Sequence, residues 1–368
     1  MVPRLGRARA VNDPSAAARV LIVPDSFGGT MSAAEAAAAI AAGWRRAAPD
    51  SAVTLLPLSD GGPGFVNVLH AALGGRLVDA EATDPLGRPI HAQVLAVGTD
   101  HGSTAYVESA QACGLHLLTP DERDPSRTTT AGVAGLLRAA LESGATRIVV
   151  GLGGSGTNDG GAGMIEALGD DAQRLRAVDL VVATDVDNPL LGTLGATATF
   201  APQKGADADA LPVLEERLAR FADATSPEFA DLPGAGAAGG LGFALFLLGG
   251  HRVSGADLVL GVLQFDARVS ASDLVITGEG SLDGQSLRGK LPVRVAGRCL
   301  EAGVPCVALA GRVMLGRRQV GAAGFAGAYS VEDFAGSLAA ALQQGAKALE
   351  GLAAAVAPEW QNSPVRSG

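Results

Sequence analysis

Six carboxylates stand where short apolar runs give way to glycine-containing loops: Asp25, Asp60, Asp159, Asp185, Glu279 and Asp283. Two lysines share that setting, Lys204 in Pro202-Gln203-Lys204-Gly205 and Lys290 in Gly289-Lys290-Leu291. Only three of the 28 basic residues are lysines, so the chain meets its other cationic needs almost wholly with arginine. A compact ammonium kept beside bare glycine backbone suits a close-approaching phosphate or carboxylate. Together these groups are what phosphoryl transfer requires. Carboxylates hold Mg2+ and accept a hydroxyl proton, while lysines and backbone amides neutralise phosphate oxygens. Any one of the acids alone is as well explained as a helix N-cap, and either lysine alone as a solvated loop residue. The reading rests on their convergence at one edge.

The elements that must position them read as alternating strands and helices. Val20-Leu21-Ile22-Val23-Pro24-Asp25 is an apolar run ending in an acid, the pattern of a buried parallel strand. Ser32-Ala33-Ala34-Glu35 forms a capping box for an Ala-rich helix ending near Pro49. A second strand, Val53 to Pro57, leads to Ser59-Asp60-Gly61-Gly62. The far end repeats this grammar: Asp273 to Thr277 runs into Gly278-Glu279-Gly280, a helix follows to Gly303, and strands are expected over Val304–Ala310 and Gly327–Val331. One terminal helix is expected over Val331–Ala357. In the middle, strands Arg147–Val150 and Leu180–Thr184 also end in Gly/Asp loops, with helices at Ala162–Leu168 and Leu211–Ala224. Such alternation predicts an α/β fold with mainly parallel sheets and ligands at the carboxyl ends of the strands. The expected organisation is a lead-in over 1–18, then a Rossmann-like domain made from both chain ends, 19–80 and 270–358. A second α/β domain, 81–269, is inserted between them, the ligand cleft lies between the two, and 359–368 forms a tail.

Composition narrows the partners. The chain has 368 residues, 48% hydrophobic, with 51 glycines, 4% aromatics and a net charge of −10. Phosphate-backbone binding needs a basic surface and base stacking needs aromatics, so nucleic acid is not an expected partner. Cys113, Cys299 and Cys306 form no C-x-x-C pair and are odd in number, which fits a reducing cytoplasm. Arg4, Arg7 and Arg9 are followed by no apolar signal core. The longest apolar stretch, around Leu241 to Leu248, is too short to span a bilayer. A cytoplasmic protein acting on small molecules is expected.

Two motifs look familiar and need weighing. Gly151-Leu152-Gly153-Gly154-Ser155-Gly156 follows a strand and matches G-x-G-x-x-G, and Gly234-Ala235-Gly236-Ala237-Ala238-Gly239 matches it as well. The first can bind an anion through backbone N–H groups, serve a dinucleotide with Asp185 as the ribose acid, or be a tight-packing turn. Gly284-Gln285-Ser286-Leu287-Arg288-Gly289-Lys290 matches the first seven positions of a P-loop. Leu291 then replaces the Mg2+-binding hydroxyl, and Gly278-Glu279-Gly280 separates the loop from its strand, so a Walker fold is rejected. The five histidines form no H-E-x-x-H, and Ser155 lacks the last glycine of a nucleophile elbow.

Taken in order, the segments resemble the bacterial glycerate kinases that make 2-phosphoglycerate. The resemblance is carried by Val23-Pro24-Asp25-Ser26-Phe27, Asp60-Gly61-Gly62, Asp84-Pro85-Leu86-Gly87-Arg88-Pro89 and the run from Gly153 through Asn158-Asp159 to Met164. It continues through Asp185 with Asn188-Pro189-Leu190, then Pro202 to Ala206, Pro233 to Gly240 and Ile276 to Gly280. Asp283, Gln285, Ser286, Gly289 and Lys290 close it. This implies ATP, Mg2+ and D-glycerate as acceptor, on a two-domain α/β fold with a discontinuous first domain. The candidate catalytic residues are then Asp185, Lys204, Lys290 and Asp25. Asp185 leads as base or metal ligand, Asp25 and Glu279 compete, Asp185 and Glu279 are the candidate Mg2+ ligands, and the two lysines act as charge clamps. Candidate substrate- or phosphate-binding residues are Ser26, Asp60, Gly61, Gly62, Gly153, Gly154, Ser155, Asn158, Asp159, Asn188, Glu279, Asp283, Gln285 and Ser286. Three positions depart from the family pattern: Gly28 for a common lysine, Pro63 for a common glutamate and Ser281 for a frequent arginine. They leave open a kinase of another small hydroxy acid, or a degenerate kinase that binds nucleotide or glycerate without turnover. A nicotinamide oxidoreductase is the more distant alternative.

Overall fold

The computed structural model describes residues 17–99 and 102–360. The lead-in expected over 1–18 lies outside the described residues up to position 16, and the tail expected over 359–368 does so from position 361. Two large sheets organise the described chain, and a third, two-stranded parallel one pairs Ser281–Leu282 with Arg312–Val313. A five-stranded, wholly parallel sheet has the order Gly327–Ser330, Cys306–Ala310, Leu274–Thr277, Arg19–Ile22, Ala52–Leu55. It is drawn from both ends of the sequence. A six-stranded sheet has the order Arg76–Thr83, Pro89–Thr99, Gly102–Glu108, Arg147–Gly151, Asp179–Ala183, His251–Val253. Its first two pairings are antiparallel and the other three parallel. The expected α/β class is the observed one. We propose the two large sheets as the cores of the two units expected from the sequence, 19–80 with 270–358 and the insert 81–269.

The first strand is a continuous apolar run because both faces of its sheet are covered. Val20, Ile22, Ile276 and Leu309 face the helices Ala33–Ala47 and Ala346–Trp360. Leu21, Val23, Val275 and Ala308 face the other way, into a core shared with Leu95, Tyr106, Val149 and Val181 of the six-stranded sheet. Helices Phe65–Leu73, Gly255–Val262 and Leu291–Glu301 fill that core. Burial of each large apolar side chain there contributes about 1.5–3 kcal/mol, so the two sets of strand ends are held in fixed relation. The capping box forms as expected, with Ser32 Oγ accepting from Glu35 N at 3.2 Å and the Glu35 carboxylate accepting from Ser32 N at 2.8 Å.

Two expectations need correction. The terminal stretch is three helices, Val331–Ala335, Leu338–Gln344 and Ala346–Trp360. Gly336 (φ 86°) and Gly345 (φ 54°) adopt left-handed backbone and stop the first two. The sequence reading also missed the strands Arg76–Thr83, Pro89–Thr99 and Gly102–Glu108, whose inward positions include the small Ala80, Ala82, Ala92 and Ala105 and so give only weak apolar alternation. Among the described residues no helix is long and apolar enough to cross a membrane.

Candidate active site

A cleft of about 370 Å³ opens where strands of both sheets end, lined by Asp25, Ser26, Gly28, Ser59, Asp60, Gly62, Pro63, Gly153, Gly154, Glu279, Gly280, Ser281 and Lys290. Sheet order explains the convergence. Glu279, Asp25 and Asp60 follow three adjacent parallel strands, Leu274–Thr277, Arg19–Ile22 and Ala52–Leu55. Neighbouring strands lie ~4.8 Å apart, so acids far apart in sequence stand side by side. From the central strand the chain runs outward in both directions, making this a topological switch point.

The electrostatics follow from that crowding. Burial pushes the Asp25 carboxyl well above its ordinary range, and the charges of Asp60 and Glu279 push the same way. The Ser26 N–H, 2.6 Å from Asp25 Oδ1, and Lys290 act against them. Burial likewise raises Asp60, helped by Asp185 and opposed by the Gly62 N–H and Lys290. Glu279 is raised by burial although Ser286 Oγ donates to its Oε1 at 2.7 Å and Lys290 Nζ lies 3.9 Å from its Oε2. Three carboxylates thus face one lysine whose side chain is 42% exposed, enough for its ammonium to reach a ligand.

The cleft wall is built by two glycine loops pressed backbone to backbone. A Cβ on Gly153 would stand 2.8 Å from Gly62 Cα, and one on Gly61 would stand 3.1 Å from Ala183 O in a backbone with φ of 107°. Only glycine permits both that approach and that conformation. The Asp60 loop then enters helix Phe65–Leu73, which has no side-chain cap of its own. The buried Glu108 of the other sheet supplies one, accepting from Val66 N at 3.2 Å.

The remaining candidates surround the cleft at increasing distance. Asp283 Oδ1 accepts from Gln285 N (2.8 Å) and Ser286 N (3.3 Å), making the turn that aims Ser286 at Glu279; Gln285 itself is exposed. Asp185 sits beside the cleft with both oxygens engaged, Oδ1 by Ser254 Oγ (2.6 Å) and Oδ2 by Ala256 N (2.9 Å), and Arg294 Nη2 lies 3.4 Å from Oδ1. Asn188 Nδ2 braces the loop after that strand through Leu194 O and Thr199 Oγ1. Beneath Gly153 and Gly154 lies a buried polar layer. Lys204 is 1% exposed, and its Nζ donates to Ser155 Oγ at 2.9 Å and Thr157 O at 2.7 Å. Burial pulls its ammonium down to about 8, against Cys113 and Asp159. Asn158 Nδ2 donates to Thr197 Oγ1. Asp159 accepts from Thr129, Thr130, Gly161 and Gly163. Lys204, Ser155, Asn158 and Asp159 brace the loop from inside. Asp84 does similar work at a distant hairpin turn, accepting from Leu86 N and Arg88 N.

The sequence reading passed over Ser59 and Gly280 in the cleft lining, and Glu108, Ser254, Asp257 and Arg294 behind it. A usable signal existed for Arg294, which stands four residues after Lys290 and four before Arg298 on one helical face. Gly28, Pro63 and Ser281, the three departures from the family pattern, all line the cleft.

A family model described as the glycerate kinase family matches residues 20–172 and 170–361, nearly the whole chain. The chain belongs to the glycerate kinase family. It is 44% identical over 327 residues to the glycerate kinase of Bacillus subtilis (strain 168), covering 80% of this chain and 85% of the relative. It is 40% identical over 325 residues to the glycerate 2-kinase of Escherichia coli (strain K12), with the same coverage. A Salmonella typhimurium LT2 crystal structure, provisionally named a glycerate kinase 2, superposes with a TM-score of 0.71 at 35% identity, covering 93% of this chain and 98% of that one. Membership of this kinase family makes the chain a phosphotransferase with an alcohol group as acceptor and implies the use of ATP.

Proposed function

We propose that the enzyme transfers the γ-phosphoryl group of ATP to the 2-hydroxyl of D-glycerate, giving 2-phosphoglycerate and ADP. The observation that carries this reading is the convergence of Asp25, Asp60, Glu279 and Lys290 on one glycine-walled cleft. Likeness to the E. coli glycerate 2-kinase supports the choice of hydroxyl.

The cleft residues fit Mg2+. Three carboxylates against one lysine leave negative charge for a cation to offset. Among the described residues no three His, Cys, Asp or Glu side chains form a metal cage by themselves. That suits Mg2+, which is commonly held by one or two carboxylates together with substrate phosphates. Glu279 and Asp60 are the residues that would hold it, and when bound it would neutralise phosphate oxygens. Asp185, whose oxygens are already engaged, stands one step back.

The chain's own groups divide the remaining work. Lys290 Nζ reaches the transferring phosphoryl group, and the Gly153–Gly154 loop admits phosphate oxygens close to backbone. Asp25, whose raised proton affinity suits a general base, takes the proton from the acceptor hydroxyl. Lys204 acts on this chemistry only through the loop it braces. A second reading, a different small hydroxy acid as acceptor, is favoured by the three charge-altering departures in the cleft lining. Measuring ADP release with ATP, Mg2+ and a panel of small hydroxy acids separates the two. D-glycerate is expected to give the highest kcat/KM; a higher value with another acid would replace it, and release with none would sink both readings.

A further inference from the structure

Arg294 lies in the first turn of helix Leu291–Glu301 and touches three separate segments. Its Nε donates to Gly289 O at 2.8 Å, directly before Lys290. Its Nη1 donates to Asp257 Oδ2 at 2.8 Å, and its Nη2 lies 3.4 Å from Asp185 Oδ1. Ser254 Oγ donates to that same Asp185 oxygen and accepts from Asp257 N at 3.0 Å. The contacts close into a ring, Asp185 to Ser254 to Asp257 to Arg294 and back. Asp185 follows a strand of the six-stranded sheet, whereas Lys290 opens a helix packed beside the parallel sheet.

We infer that Arg294 is the positioning residue that holds Asp185 and the Lys290 loop in register across the cleft. The inference rests on the kinase reading above. A guanidinium suits the task because its planar fork holds several acceptors at fixed angles, which a lysine ammonium on a flexible stem does not. The side chain is 32% exposed, so solvent screens the bare charge attraction and the fork's geometry matters more. Arg298, one turn on, grips the other Asp257 oxygen at 3.2 Å and keeps the ring seated on helix Gly255–Val262.

The test compares wild type with Arg294→Ala and Arg294→Lys, the latter keeping the charge and losing the fork, with the folded fraction measured on the same samples. A misplacement near 1 Å lowers turnover roughly a hundredfold, so kcat should fall by that order in Arg294→Ala while KM for ATP and D-glycerate stays within about threefold. Arg294→Lys should recover little of the loss. Asp257→Asn should lower kcat as well, and the double variant should lose less than the product of the two single losses. Values of kcat within about twofold of wild type, or a loss that only tracks unfolded protein, would overturn the inference. So would full recovery by lysine. A wild type inactive with every acceptor overturns the kinase reading and this inference with it; an active wild type beside an equally active Arg294→Ala overturns this inference alone.

Discussion

Replacing Lys204 by methionine probes the buried layer under the cleft loop. In the folded protein burial brings the ammonium down to about 8, from 10.5 as its ordinary value. Below about pH 8 both folded and unfolded chains carry the proton, and the folded state bears the full cost of an enclosed charge. Between about 8 and 10.5 the folded chain has lost that proton and the unfolded chain has kept it. Stability then rises with pH by about 1.4 kcal/mol per unit, reaching about 3 kcal/mol over the interval. Above it both states are neutral and the gain is complete. Cys113, pushed up to about 12 by burial, works in the opposite direction once unfolded thiols ionise, but it does so in both proteins. At neutral pH the substitution removes the enclosed charge and strips Ser155 Oγ and Thr157 O of their donor. Leaving each group unsatisfied costs about 1–3 kcal/mol, so the net change there is small. The slope is the test. Urea unfolding of both proteins across the interval should show stability rising in wild type relative to Lys204→Met by about 3 kcal/mol. Parallel curves would refute the claim that burial holds the Lys204 ammonium below its ordinary value in the folded protein.

Two further outcomes follow from the cleft. Asp25→Asn removes one of three mutually repelling carboxylates whose contribution to stability is lost as pH rises through their elevated folded values. It should raise stability at neutral pH by about 0.5–2 kcal/mol while lowering turnover at least a hundredfold; thermal unfolding and ADP release measured together decide this, and a less stable variant would contradict it. Gly153→Ala places a methyl 2.8 Å from Gly62 Cα and 3.1 Å from Gly62 N, both backbone atoms that move only if the loops part. Urea unfolding should show a loss of about 1–3 kcal/mol together with reduced activity.

Much of this was legible in the chain because parallel strands announce their carboxyl ends. Asp25, Asp60 and Glu279 each close an apolar run, and sheet order alone then sets them side by side. What the sequence could not separate was a charged residue that faces the cleft from one that braces it. Lys204 and Lys290 share the same glycine-flanked setting, yet one is 1% exposed beneath the loop and the other opens onto the cleft. Asp159 and Asp185 sit in equally suggestive loops and spend their oxygens on backbone and hydroxyl donors. Glu108 was invisible because its partner, Val66 N, lies 42 residues away on another element. The antiparallel strands escaped notice since alternation with alanine at inward positions such as Ala80, Ala82 and Ala92 carries little signal until a neighbouring strand pairs with it.

We propose that this cleft phosphorylates D-glycerate on its 2-hydroxyl. The most direct test mixes purified protein with ATP, Mg2+ and D-glycerate, then adds enolase without any phosphoglycerate mutase and follows phosphoenolpyruvate. Stoichiometric conversion, matched to ADP released and absent in Lys290→Met, is the predicted result. ADP release with a product that enolase leaves untouched would contradict the assignment of the hydroxyl, and no release from folded wild-type protein would contradict the claim itself.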